Sequence, residues 1–465
     1  MSSNRRDFLK KSSIAGAGLA LLPGFLNANT FGSSTTFRSK YMGGFAAPKL
    51  DTVRCAFIGV GGRGSGHAIH ISKIEGTEVV AISDLYEDLA NKSAENCAAR
   101  GKGTRHQNIA IYANDKNAWK KMLKEVKPDI VFISTPWSLH APMAIEAMKK
   151  GAHAFVEVPI AVTIKEMWDI VDTSEKTQKH CMMMENVNYG REELLYLNMC
   201  RQGAIGELLH GEASYIHELR GQMHQVERGT GSWRTPHYAN RNGNLYPTHG
   251  LGPVAQYMNL GRGEDNFSRI VSFSSPAKGR NIYAAKNFDK NHKWNQLDFE
   301  GGDMNTSIIK TTLGRTIMVQ WDETSPRPYS RHNLIQGTKG TLAGFPTRIA
   351  LEGGVENGTK DHHQWAQGEQ LEAIFEKYEH PLYKRLGDIS KKNGGHGGMD
   401  FMMNYRIIEC LRNGLPLDQN VYEGCFWSAV GPLSEASVTE DGSSQVFPDF
   451  TRGAWKTTDP LAIIR

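Results

Sequence analysis

Three glycines, Gly59, Gly61 and Gly64, follow an apolar run, VRCAFIGV, and precede a segment that reads as a helix. This G-x-G-x-x-G spacing suits one task. The chain turns tightly, the backbone approaches a pyrophosphate, and the helix N-terminus offers N–H groups and positive potential to it. Gly62 and Arg63 lie in the same loop, where Arg63 either pairs with a phosphate or is a solvated loop residue. An acid, Asp84, ends the next apolar run, TEVVAISD. A carboxylate there accepts hydrogen bonds from a ribose 2′-hydroxyl and repels a 2′-phosphate, so the pattern predicts NAD in preference to NADP.

Metal chemistry has weaker support. Asp361-His362-His363 puts an acid beside two imidazoles in a polar loop, but no HExxH or comparable ligand spacing occurs, and no metal is expected. The six cysteines, Cys55, Cys97, Cys181, Cys200, Cys410 and Cys425, are scattered without C-x-x-C, several in apolar runs, which suits buried free thiols.

The elements that carry the glycine loop alternate in type. VRCAFIGV, TEVVAISD, DIVFIST, HAFVEVP and HCMMMENVNY read as strands, with helical stretches at LYEDLANKSAENCAARG and APMAIEAMKKG between them. Thr163 and Glu166 form a capping box for a further helix that runs to about Lys179. This alternation predicts a parallel sheet with helices on both faces. After about Gly190 the texture changes to one helix, REELLYLNMCRQG, then strand-like runs among long Gly/Asn/His-rich loops, and a helical pattern again near Met399 to Asn413. The fold expected is α/β: an N-terminal Rossmann dinucleotide-binding domain and a C-terminal α/β domain with a mainly antiparallel open sheet. The boundaries read as 1–48 for a signal and linker, 49–188 for the NAD-binding domain, and 189–465 for a substrate-binding α+β domain.

A chain of 465 residues is long for one core, which favours two domains. Its 39% hydrophobic and 22% charged residues are those of a soluble globular protein. A net charge of +5 with no basic stripe in the mature part argues against nucleic acid as a partner. At the N-terminus Arg5-Arg6, then Phe8-Leu9-Lys10, precede a modest apolar run to Leu26. This resembles a bacterial twin-arginine signal, so export to the periplasm is expected. The run is too short and glycine-rich for a stable membrane span.

The segment STPWSLHAPMAIEAMKKGAHAFVEVP, with Thr135, Pro136, His140, Gly151, His153, Glu157 and Pro159, resembles the Gfo/Idh/MocA oxidoreductase family. Where that family has Glu-Lys-Pro, this chain has Glu157-Val158-Pro159. Valine cannot donate a proton or stabilise an alkoxide, so either the change is a harmless drift in an ordinary dehydrogenase or proton handling has moved to other side chains. The valine, the signal and the segments GSWRTPHY, NLYPTHGLGP, SPRPYSRHN and GGHGGMDF together resemble glycoside hydrolase family 109. These are NAD-dependent bacterial α-N-acetylgalactosaminidases.

That resemblance implies hydrolysis of terminal α-linked N-acetylgalactosamine through transient oxidation at C3, C2 deprotonation, elimination and water addition. It implies cofactor contacts from Gly62, Arg63, Asp84, Trp137, Ser138, Leu139, His140, Glu157, Val158 and Asn186. It implies sugar contacts from Tyr215, Arg234, Tyr246, His249 and Tyr329, with His249 as the C2 base and Tyr246 carrying the C3 hydroxyl proton. By themselves, Tyr215 equally suits a core or surface strand position, Tyr329 a loop-shaping role, and Arg234 a stacked pair with Trp233. His396 and Asp400 border the site on this reading, although their glycines alone explain a tight turn. The expected partner is an α-N-acetylgalactosamine-terminated glycan, and a homodimer is compatible with the resemblance. The rival functions are an exported NAD(P)-dependent sugar oxidoreductase resembling glucose–fructose oxidoreductase, and a non-enzymatic sugar-binding protein that holds NAD.

Overall fold

Runs of β-branched and aromatic residues separated by helices build the first sheet, whose strands are β1 (Val53–Ile58), β2 (Thr77–Ser83), β3 (Ala110–Tyr112), β4 (Ile130–Ile133), β5 (His153–Val156) and β6 (Cys181–Met183). The computed structural model describes residues 41–102, 106–354 and 363–464; the N-terminal signal and Asp361-His362 lie outside them. Every pairing in this sheet is parallel, in the order β3-β2-β1-β4-β5-β6. Helices on both faces bury the central strands completely, so IVFI and HAFV are apolar or closed off throughout rather than alternating. The order reverses between β1 and β4, and the glycine loop leaves β1 at that crevice.

Local signals held at several points. Thr163 accepts from the backbone N–H of Glu166 at 3.2 Å, and Glu166 returns a bond to the Thr163 N–H at 3.1 Å. The strand expected over HCMMMENVNY is shorter than the pattern suggests. It ends at Met183, and the chain enters a 3-10 turn, Asn186–Tyr189, capped by the Glu185 side chain.

The second sheet holds β7 (Leu208–Ile216), β8 (Phe267–Ser274), β9 (Asn305–Thr311), β10 (Thr316–Asp322), β11 (Leu334–Gly337), β12 (Gly340–Ala343), β13 (Arg348–Leu351) and β14 (Gln445–Val446). Its order is β13-β12-β11-β7-β10-β9-β8-β14, and every pairing is antiparallel except β7 with β10. Two segments expected as loops are helical: GSWRTPHY lies in Thr230–Ala239 and THGLGP opens Thr248–Tyr257. Their glycines and prolines disfavour a helix locally, but tertiary packing overrides that. Gly250 is needed for this contact, because a Cβ there would lie 2.3 Å from the Ser214 backbone nitrogen of β7.

One buried apolar cluster runs from Ala56 and Val131 in the first sheet through Leu195 and Trp427 to Ile309 and Ile317 in the second. The two sheets therefore share a core. All six cysteines are free thiols, five buried and Cys200 half-buried. No helix among the described residues is long and apolar enough to cross a membrane.

Candidate active site

A cavity of about 1200 Å³ is walled on one side by the glycine loop and the ends of β2, β4, β5 and β6. Residues of β7 and of the helices Thr230–Ala239 and Thr248–Tyr257 wall the other. This exceeds the roughly 300–1000 Å³ of a typical small-ligand pocket and leaves room for a dinucleotide beside a second molecule.

At the dinucleotide end, Gly59, Gly61, Gly62, Arg63 and Asp84 line the cavity. Gly59 has φ +81°, and a Cβ on it would sit 2.8 Å from the Ser134 carbonyl oxygen. Gly64 lies under the loop, where a Cβ would fall 1.9 Å from the Gly59 carbonyl oxygen. A Cβ on Gly61 or Gly62 would meet nothing within 4 Å, so the cavity side of the loop is an open cradle. Asp84 accepts from the Val60 N–H at 2.7 Å and the Tyr86 N–H at 2.9 Å, which fixes the carboxylate beside that cradle. Across the mouth, Arg228 bonds Asp88 at 2.7 Å and lies 4.4 Å over the Tyr86 ring.

Further in, Trp137, Leu139, His140, Glu157, Val158 and Asn186 line the cavity, whereas Ser138 is exposed and does not. The 3-10 turn Trp137–Leu139 accounts for this, since its three residues point in three directions. His140 spans two carbonyl oxygens, Pro159 at 2.7 Å and Thr135 at 2.8 Å, and so ties the β4 and β5 loops together. The Asn186 Oδ1 is buried and has no hydrogen-bond partner, while its Nδ2 donates to Asp400 at 2.6 Å. An unpaired buried acceptor on the wall, beside an open glycine cradle and a fixed carboxylate, fits a nicotinamide dinucleotide.

Arg63 lines the cavity beside the glycine loop and pairs there with two carboxylates. Its guanidinium lies 3.0 Å from Glu157 and 2.8 Å from Asp400. His67 donates to Glu157 at 2.7 Å and accepts from Asn404 at 3.0 Å. Burial opposes charge on Glu157, but Arg63 and His67 outweigh it and hold its carboxyl well below the usual range. Asp400 behaves alike: burial opposes its charge, and His396 and Arg63 overcome that. His396 lines the cavity and bonds Asp400 at 2.8 Å.

At the opposite end the predicted sugar residues do meet. Tyr215, Arg234, Tyr246, His249 and Tyr329 all line the cavity. Tyr246 is stacked on Trp137, with centroids 5.5 Å apart, and lies 4.7 Å from Tyr215 and 5.1 Å from His249. The Arg234 guanidinium lies 4.8 Å from the Trp137 ring, 5.3 Å from Trp233 and 4.9 Å from Tyr246. Its Nε is buried without a partner, so the aromatic stack holds the cation while a donor stays unused. Burial pushes the Tyr246 phenol up to about 12, with Arg234 partly offsetting the rise.

Two side chains missed from sequence complete this end. Glu185 accepts from His249 Nδ1 at 2.7 Å, and His217 bonds the Tyr215 hydroxyl at 3.0 Å. A charged residue directly after the apolar MMM run, at the C-terminal end of a parallel strand, was the available signal for Glu185. Nothing local marks His217. Among the described residues no group of three or more His, Cys, Asp or Glu side chains is arranged to hold a metal.

Two family models match the chain in turn. One describes an oxidoreductase family with an NAD-binding Rossmann fold, over residues 53–185, and the other the C-terminal domain of glycosyl hydrolase 109, over residues 189–457. The chain is 61% identical to glycosyl hydrolase family 109 protein 1 of Akkermansia muciniphila, with 100% of this chain and 99% of that protein covered. It is 53% identical to the glycosyl hydrolase family 109 protein of Shewanella pealeana, with both chains fully covered (100% of each). Among solved structures, levoglucosan dehydrogenase in complex with NADH and levoglucosan shares the fold at a TM-score of 0.64 and 18% identity, over 86% of this chain and 100% of that one.

Proposed function

The chain belongs to glycosyl hydrolase family 109, and on that premise we propose that it hydrolyses terminal α-linked N-acetylgalactosamine by an oxidation–elimination route. NAD, the cofactor of the Rossmann domain, would be held by the glycine loop, Asp84 and Asn186 and would supply reversible hydride acceptance from C3 of the sugar. The chain's own residues handle the protons. A ketone at C3 acidifies the C2 proton, which we assign to His249 as base. The C1–oxygen bond then breaks, and His396, held by Asp400, protonates the departing oxygen. His396 next takes a proton from water as the hydroxide adds at C1, and His249 returns its proton to C2. Atoms balance as one hydrolysis.

Tyr246, a neutral phenol raised above its ordinary range, relays the C3 hydroxyl proton to water in the open cavity on oxidation and back to the C3 oxygen when hydride returns. Arg234, with an unused donor, holds a sugar oxygen.

One observation carries the reading. A cradle suited to a dinucleotide and two imidazoles, each bonded to a carboxylate, line one cavity. Of the three carboxylates lining the cavity, Glu157 is engaged by Arg63 and His67, Asp84 by backbone N–H groups, and the exposed Asp115 accepts from the Asn117 N–H at 2.9 Å, so no pair of free carboxylates lines it. A conventional glycosidase needs one free carboxylic acid and one free carboxylate. Incubation with an aryl α-N-acetylgalactosaminide in D₂O, without added NAD, tests the proposal. Aryl release with deuterium entering C2 supports it. Net cofactor reduction without aryl release would instead favour a sugar oxidoreductase. The same reading includes export on the twin-arginine route to the periplasm. Replacing Arg5 and Arg6 by lysine should leave the protein in the cytoplasm, and unchanged fractionation would count against export.

A further inference from the structure

Glu185 stands where β6 has just ended, fully buried, one residue ahead of Asn186. It is held from every side. Its backbone N–H donates to Met183 at 2.9 Å, and its carbonyl oxygen accepts from Gln419 at 3.0 Å. Its Oε1 accepts from His249 Nδ1 at 2.7 Å and from the Val187 N–H at 3.2 Å. Its Oε2 is buried with no hydrogen-bond partner. Gly252, on the helix that carries His249, faces the same carboxylate: a Cβ there would lie 3.0 Å from Glu185 Cγ and 3.1 Å from Asn188 Oδ1. The next residue along the chain anchors the other imidazole, since Asn186 donates to Asp400 at 2.6 Å and Asp400 bonds His396 at 2.8 Å.

We propose that Glu185 is the positioning residue of this site. Its carboxylate locks His249 in the Nδ1–H tautomer, and the Glu185-Asn186 step fixes the spacing between the two imidazoles. The proposal rests on the reading of His249 as the C2 base. An ionised carboxylate only accepts hydrogen bonds, so Nδ1 must carry the proton and Nε2 keeps its lone pair. A base needs that lone pair. An amide in the same place can donate, which lets the proton move to Nε2 and leaves the imidazole unable to accept another. The buried, half-satisfied carboxylate also stabilises the imidazolium that forms when His249 takes the C2 proton.

The test uses ¹⁵N-histidine-labelled full-length protein, with His249→Gln to assign the His249 signals. Nδ1 should be protonated and Nε2 bare in the unmodified protein, and the order should reverse in Glu185→Gln. In D₂O with the aryl glycoside, Glu185→Gln should lose C2 exchange by about 10²- to 10⁴-fold. The absorbance change on reduction of the bound cofactor should persist after sugar is added. Gly252→Ala keeps the charge but displaces the carboxylate, and should slow exchange by about tenfold with KM unchanged.

An unchanged tautomer with exchange within threefold of normal in both variants overturns the proposal. Loss of exchange together with loss of bound dinucleotide also overturns it, because that marks a merely structural role. If the unmodified protein shows no C2 exchange while the tautomer still reverses in Glu185→Gln, the C2-base reading fails and the positioning role stands.

Discussion

At His249 the proposed chemistry comes down to one proton. His249→Ala removes the acceptor altogether, and C2 exchange, followed by NMR, should fall by about 10²- to 10⁴-fold, since general-base groups typically contribute that much. Residual exchange at the normal rate would move the base elsewhere. Arg63 is a different kind of residue. It separates two buried carboxylates, Glu157 and Asp400, that are 8% and 4% exposed. Arg63→Met leaves them facing one site without their cation, so thermal unfolding should show a loss of about 2 kcal/mol, below the figure for a fully buried pair because Arg63 is partly solvated. The loss should shrink on acidification, because protonating either carboxylate removes the unpaired charge. Sequence already marked Arg63 as important, but its partners lie 94 and 337 residues away, out of reach of any local pattern.

At the scale of elements, the segment Gly394–Gly398 is unusual, because all five residues, His396 among them, have positive φ. At Gly395 a Cβ would lie 2.6 Å from His70 and 2.7 Å from Asp400 Cβ. Gly395→Ala should therefore destabilise the fold and displace His396, with aryl release dropping even where the protein stays folded; full activity would show that the loop tolerates the strain. The ends of β5 and β6 carry a second element-level device. His153 and His180 are buried, and burial pushes them down to about 2 and about 4. Their folded values lie below the ordinary 6.5, so the unfolded chain binds more protons and stability falls with pH below about 6.5. Between pH 6.5 and 5 each histidine should cost roughly 2 kcal/mol, from 1.36 kcal/mol per unit. The buried His70 and His380, also pushed down to about 4, add to the effect, so the melting temperature should drop over that window and His180→Phe should lessen the drop. A melting temperature independent of pH from 6.5 to 5 would contradict this.

Across the whole molecule, the cavity wall is shared by both sheets, so a bound dinucleotide ties them together. Stripping the cofactor should lower the melting temperature by several degrees. Adding NAD back at 100 times its dissociation constant should restore about 2.7 kcal/mol, and NADP should not, because Asp84 is fixed beside the loop. Equal rescue by both would remove the assigned role of Asp84. Much of this architecture was legible in the chain. The glycine loop, the Thr163–Glu166 box and the parallel strands depend on contacts within a few residues or on unbroken apolar runs, and such signals are written locally. The helices Thr230–Ala239 and Thr248–Tyr257 were not legible, because their glycines and prolines argue against helix until Gly250 is seen against β7. By itself the sequence determined a dinucleotide cradle and the acid beside it, while the tyrosines, histidine and arginine assigned to a sugar rested on the family resemblance. Only the tertiary structure decided which carboxylate holds which imidazole, because a buried charge chooses partners by distance in space, and Glu185 finds His249 64 residues further along the chain.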